Sequence, residues 1–191
     1  MILLFAGLAI WYMAHLFKRL APSARAGLEA RMGEASKGLF AVLIVFSVVV
    51  MVMGYRGAGF VELWQPPAFL THVNNLLMIL AFYTFGASAA KPAKVWLGTK
   101  IRHPQLMAVL IWAVAHLLVN GDLASLVLFG GLFAWAMLSI QVINAAEGTW
   151  TPPLQAPFKK EVTLIITTVV LTAAVAGIHT WLGVWPFGGS F

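Results

Sequence analysis

A chain of 191 residues that is 61% hydrophobic and 9% charged has too little polar surface for an ordinary soluble domain. The absence of cysteine excludes disulfides, iron–sulfur clusters, covalent c-type haem attachment and thiolate catalysis. The net charge of +6 lies in short segments between apolar runs, which reads as membrane topology and not as nucleic-acid binding.

Taken in order, the apolar runs predict an all-α polytopic membrane protein, a bundle of six transmembrane helices forming one domain over 1–191. The spans fall near 2–18, 38–55, 70–90, 104–120, 123–144 and 161–183. Each is about 17–22 residues long, the length a bilayer core requires. The first, from Met1-Ile2-Leu3-Leu4-Phe5, has no basic segment before it and no Ala-x-Ala site after it. It reads as a retained span and not as a removed leader. The loop from Ala21 to Gly38 predicts a short surface helix capped by Ser23, with Arg25 and Glu29 paired at i,i+4. Gln65-Pro66-Pro67 and Thr151-Pro152-Pro153 predict stiff connectors. Asn120-Gly121-Asp122 predicts a tight turn between two antiparallel helices, with Gly121 at C′ and Asp122 capping the next helix. Pro186-Phe187-Gly188-Gly189 reads as a periplasmic cap. Trp64, Trp150, Trp181 and Trp185, near span ends, fit an interfacial belt.

Charge orients this arrangement. Lys18, Arg19, Arg25, Arg31 and Lys37, then Lys91, Lys94, Lys100 and Arg102, then Lys159 and Lys160 all fall in loops on one side, and Arg56 alone falls on the other. The positive-inside rule puts those loops in the cytoplasm. Both termini then face the periplasm, in the bacterial cytoplasmic (inner) membrane.

Chemistry-bearing residues are few. The six carboxylates, Glu29, Glu34, Glu62, Asp122, Glu147 and Glu161, lie in loops or at span ends, which disfavours zinc hydrolysis and carboxylate-bridged iron. The five histidines are His15, His72, His103, His116 and His179. An ionisable ring inside a membrane span is a functional-site hypothesis by default. Neutral imidazole without a nearby carboxylate suits a haem iron. Two spans carry Trp-x-x-x-His, as Trp11/His15 and Trp112/His116, each tryptophan one turn before its histidine. Gly7 continues the first stripe and would let a flat cofactor approach; Gln105 continues the second. At 1.5 Å per residue, His15 lies roughly 20 Å and His116 roughly 12 Å from the periplasmic face, a difference that tilt can absorb. His116 is the strongest ligand candidate and His15 its partner, with His72 and His179 as alternatives. Each ring could equally hydrogen-bond a helix carbonyl and fill an interface. Arg102 and His103, beside Pro104 at the mouth of the fourth span, read as anchor and cap, or as a site for an anionic headgroup, a haem propionate or a substrate. Asn74 and Asn75 read as helix-to-helix hydrogen bonds.

The string Arg102-His103-Pro104-Gln105-Leu106, then Trp112-Ala113-Val114-Ala115-His116-Leu117-Leu118-Val119-Asn120-Gly121-Asp122-Leu123-Ala124-Ser125, resembles the NnrU family. So do Ala21-Pro22-Ser23, Arg31-Met32-Gly33-Glu34, Gly54-Tyr55, Trp64, Pro66-Pro67 and His72. The resemblance covers nearly the whole chain. It implies an integral membrane protein linked to denitrification. That family is similar to the 15-cis-zeta-carotene isomerases, and this likeness implies haem b held by His15 and His116. A cysteine of the isomerases corresponds to Ala113 here, so a ligand switch through that cysteine is not available to this chain. Arg-His-Pro also occurs in isoprenylcysteine and phospholipid methyltransferases, but their later arginine and paired glutamates are missing after Asn144-Ala145-Ala146-Glu147-Gly148.

Two functions remain open at this point. One is a haem b membrane protein with a redox or isomerase-type role in nitrogen-oxide metabolism or on a hydrophobic polyene, with Trp11 and Trp112 packing on the ring. The other is a non-catalytic membrane subunit or assembly factor of a larger complex. Membrane lipids are partners in either case.

Overall fold

A computed structural model of the chain describes residues 1–89 and 92–187. Among them are seven α-helices: α1 (Ile2–Leu20), α2 (Pro22–Met32), α3 (Ala35–Arg56), α4 (Leu70–Gly86), α5 (Pro104–Val119), α6 (Leu123–Glu147) and α7 (Phe158–Trp181). A short 3-10 turn covers Trp96–Thr99. α1, α3, α6 and α7 are long and apolar enough to cross a membrane. They account for four of the six expected spans. α4 and α5, at 17 and 16 residues, are the shorter ones, and a 16-residue helix rises only about 24 Å. The third span was expected to reach residue 90, but α4 ends at Gly86. Ala90 and Lys91 lie outside the described residues, as do Gly188 and Gly189 of the expected C-terminal cap.

Two compact units emerge: Met1–Leu63 with Asp122–Ala146, and Trp64–Gly121 with Glu147–Phe191.

In the first unit, α1 packs along α3. Small residues permit the close approach. A Cβ on Gly54 would sit 2.3 Å from the Leu4 main-chain nitrogen, and one on Gly7 would sit 2.7 Å from that of Met51. Gly7 therefore serves the α1–α3 crossing, which corrects the expectation that it makes room for a flat cofactor. Leu4 is fully buried at this crossing. The predicted surface helix is present as α2, but Pro22 starts it and Ser23 makes no cap. Proline supplies the helical φ and lacks the N–H that a cap would satisfy. Gly33 ends α2 at φ +55°, a conformation that costs glycine nothing. Arg25 holds α2 to α3: it donates to the Ser36 hydroxyl (3.0 Å) and lies 4.9 Å from the Phe40 ring centroid. Ser36, fully buried, passes its own proton to the Gly33 carbonyl at 2.7 Å. The expected Arg25–Glu29 pair forms at 3.9 Å with Glu29 half exposed, a geometry worth little.

Asp122 caps α6 as expected. Its carboxylate accepts from the Ser125 amide (2.9 Å) and the Ser125 hydroxyl (2.5 Å). The Tyr55 hydroxyl joins this chain at 2.8 Å from Ser125 Oγ. Leu123 N–H donates to the Val61 carbonyl, and Glu62 bridges Asp122.

In the second unit, α4 packs along α5 and, less extensively, on α7. Gly121 is needed for a reason the sequence did not show. Its φ is not positive, but a Cβ there would lie 1.9 Å from the Trp64 carbonyl oxygen. That approach lets Trp64 N–H donate to the Gly121 carbonyl at 3.1 Å. At the other end, Ala87, Val95 and Leu164 form a small buried cluster with Tyr83 and Leu97 against it. Glu161, in the first turn of α7, accepts from the Tyr83 hydroxyl and from Trp96 N–H. Lys94 pairs through its main chain with Leu154 and Ala156, which anchors the proline connector.

Three outcomes follow from these contacts. Gly54→Val should overpack the α1–α3 crossing and lower stability by about 1–3 kcal/mol, read as a fall in thermal midpoint in detergent. Gly177→Ala, on α7 where a Cβ meets nothing within 4 Å, should leave the midpoint unchanged or slightly raised. Asp122→Ala should cost about 0.5–2 kcal/mol through the lost cap, measurable by the same melt.

Candidate histidine and tryptophan sites

A helix in an apolar setting holds its main-chain bonds internally, and a side-chain donor does best to reach a carbonyl one turn back. Three histidines do so. The Nδ1 of His15 lies 2.9 Å from the Trp11 carbonyl, that of His116 2.9 Å from Trp112, and that of His179 2.9 Å from Val175. A carbonyl only accepts, so the proton sits on Nδ1. The lone pair is then on Nε2, the nitrogen farther from the helix backbone. This hydrogen bond fixes both tautomer and ring direction, as it does in metal-ligating histidines generally.

The first unit builds an aromatic cluster around His15. Trp11 lies over the imidazole with centroids 4.0 Å apart and planes tilted 37°. Trp135, from α6, meets His15 edge-on at 4.9 Å and Trp11 edge-on at 5.1 Å. Each ring thus touches the other two. Tyr12, next to Trp11, donates to the Gly131 carbonyl at 2.6 Å. Trp11 packs on its own histidine, where the sequence reading placed it on a cofactor. The reading also missed Trp135. It has no role in the sequence reading, although it sits mid-helix in α6 and not at a span end. That mid-span position was the available signal.

The second unit places the other candidates. Trp112 lies against the His116 ring at 4.9 Å with a 48° tilt. Asn120 donates to the His116 main-chain carbonyl at 2.8 Å, closing the end of α5. His179, near the end of α7, belongs to the same unit as His116. His72 is exposed in the first turn of α4. Asn74 donates to its neighbour Asn75, and Asn75 to the Pro186 carbonyl at 2.9 Å, so only the second bond links separate segments, and it reaches the stretch after α7 and not another helix. His103 is the residue before α5, with Pro104 opening the helix as expected. Arg102 donates to the Gly148 carbonyl (2.6 Å) and pairs with Glu147 at 3.4 Å. Gln105, expected to continue the Trp112–His116 stripe, is exposed.

Among the described residues no three His, Cys, Asp or Glu side chains come together as a metal-ion site. A tetrahedral ion of the zinc type therefore lacks a ligand set there. A porphyrin brings four nitrogens of its own and asks one or two imidazoles of the protein. The donor chemistry at His15 and His116, imidazoles with Nδ1 already engaged by a carbonyl, fits that demand.

No curated protein and no solved structure matches the chain. Residues 3–186 match the family described as NnrU protein. With helices of membrane-crossing length and the match running over nearly its whole length, the chain belongs to the NnrU family.

Proposed function

We propose that this NnrU-family protein binds haem b in the bacterial inner membrane, with His116 and His15 as the candidate iron ligands through Nε2, each the candidate within its own unit. The observation that supports this is the Nδ1–H bond to the i−4 carbonyl at each of these rings. It leaves a lone pair on the outer nitrogen and makes it a better donor. Bound haem would supply a redox-active iron with a tunable potential. The chain's own residues do the rest. Trp11 and Trp112 hold the imidazole planes. Arg102 and His103, at the mouth of α5, are the basic groups available to propionates, with Arg102 exchanging Glu147 for a haem carboxylate. His72 and His179 are the alternative ligands. The membrane is entered with both termini periplasmic and the basic loops cytoplasmic.

A redox role in nitrogen-oxide metabolism is favoured over cis–trans isomerisation of a polyene. Ala113 stands where the similar isomerases have a cysteine, and it is fully buried. No thiolate is therefore available to exchange with a histidine. A second reading, a non-catalytic membrane subunit, draws on α7. Ala173, Ala174 and Gly177 there are exposed and small enough for a neighbouring helix to approach.

Optical spectra of the detergent-purified protein separate these readings. The haem reading expects a Soret band that shifts on dithionite. His116→Ala should abolish it, and His15→Ala should weaken it or convert it to a spectrum with one axial ligand. A colourless, stable protein that takes up no added haem would favour the subunit reading. A Soret band unchanged in both variants would refute the ligand assignment.

A further inference from the structure

Among the described residues, the buried side-chain atoms without a hydrogen-bond partner are Trp11 Nε1, Trp135 Nε1, Ser139 Oγ, Asn74 Oδ1 and Thr168 Oγ1. The first two belong to one ring cluster, and the third lies on the same helix as Trp135. Trp11 and Trp135 both touch the His15 ring. Ser139 lies one turn along α6 from Trp135. Trp135 is 6% exposed and Ser139 3%, so water from the surface does not reach them.

We propose that Trp11, Trp135 and Ser139 form a binding site for one hydrogen-bond-accepting oxygen beside His15. An indole N–H can only donate. Neither indole has a hydrogen-bond partner within the ring cluster, whose π faces are weaker acceptors than oxygen. Two such donors and a hydroxyl, all buried, call for an atom that accepts more than one bond, and oxygen has two lone pairs to offer. Two sources carry that oxygen. A water molecule would accept from the indoles and donate to His15 Nε2. A haem carboxylate would accept only, and leaves Nε2 for iron. The carboxylate source rests on the haem reading above; the water source does not, because it uses only this chain's own atoms.

Ultraviolet resonance Raman spectra of the full-length protein in detergent, haem-free and haem-loaded, read the strength of the indole N–H hydrogen bond directly. Trp135→Phe keeps an aromatic ring at this position and removes the indole N–H with the rest of the five-membered ring. The difference spectrum, native minus variant, isolates Trp135. A hydrogen-bonded Trp135 signal in haem-free protein supports the site with water as its occupant. A signal that becomes hydrogen-bonded only on haem loading supports the site with the carboxylate. A Trp135 indole free of hydrogen bonding in both states overturns the proposal, whether or not the protein shows a Soret band. Should Trp135→Phe fail to fold, Trp11→Phe gives the corresponding difference spectrum for the partner indole, and the same outcomes apply to it.

Discussion

In this protein the governing constraint is that polar atoms inside apolar helices must find partners on the helix itself. Threonines on α7 show the rule plainly. Thr163, Thr167, Thr172 and Thr180 each return their hydroxyl to the carbonyl four residues back, at 2.8–3.0 Å. His15, His116 and His179 obey the same rule with Nδ1. A hydroxyl that donates in this way keeps its lone pairs close against the helix, whereas an imidazole carries its acceptor away from it. It carries a second nitrogen on the far side of the ring, and the first bond decides that this nitrogen holds the lone pair. The chemical character of the candidate sites grows from that asymmetry.

Tryptophan breaks the rule. Its N–H sits at the edge of a large ring and does not fold back onto its own helix, so it depends on whatever lies beside it. Trp11 and Trp135 lie beside each other and beside His15. Rings satisfy packing and leave the N–H groups unanswered. The first unit thus holds a ligand-type imidazole and orphaned donors at one point. Arg25, Ser36 and Gly33 show the contrasting case, a polar group entering the packed region with its hydrogen bonds made.

Close backbone approach is the second theme. Gly7, Gly54 and Gly121 each stand where a Cβ would strike the main chain of another segment. Two of these contacts set the α1–α3 crossing, and the third seats Trp64 against the turn before α6. Glu161 plays a comparable part through charge. A carboxylate in the first turn of α7 meets the helix dipole favourably, and it also gathers Tyr83 and the Trp96 amide.

Much of the architecture was legible in sequence. Period, length and apolarity announce α1, α3, α6 and α7, because a bilayer-length apolar run has few alternatives to helix. Asp122 as cap and Pro104 as first helical residue are local signals with local causes, and both appear where expected. The shortness of α4 and the N-terminus of α2 were harder. Pro22 and Ser23 both mark helix starts, and only the backbone conformation decides which prevails. The Trp-x-x-x-His stripes were visible because i and i+4 share a helix face. Which ring covers which was not. Trp11 could meet a cofactor, a lipid or its own histidine with equal propriety on paper. Trp135 is separated from His15 by 120 positions in the chain, and helix packing alone makes them neighbours. The sequence by itself determined which atoms are apolar, which are donors and which stretches are helical, since those depend on near neighbours. Only the tertiary structure decided that Gly7 serves a helix crossing and that Trp135 closes on His15, because each is a contact between distant segments whose energy depends on packing.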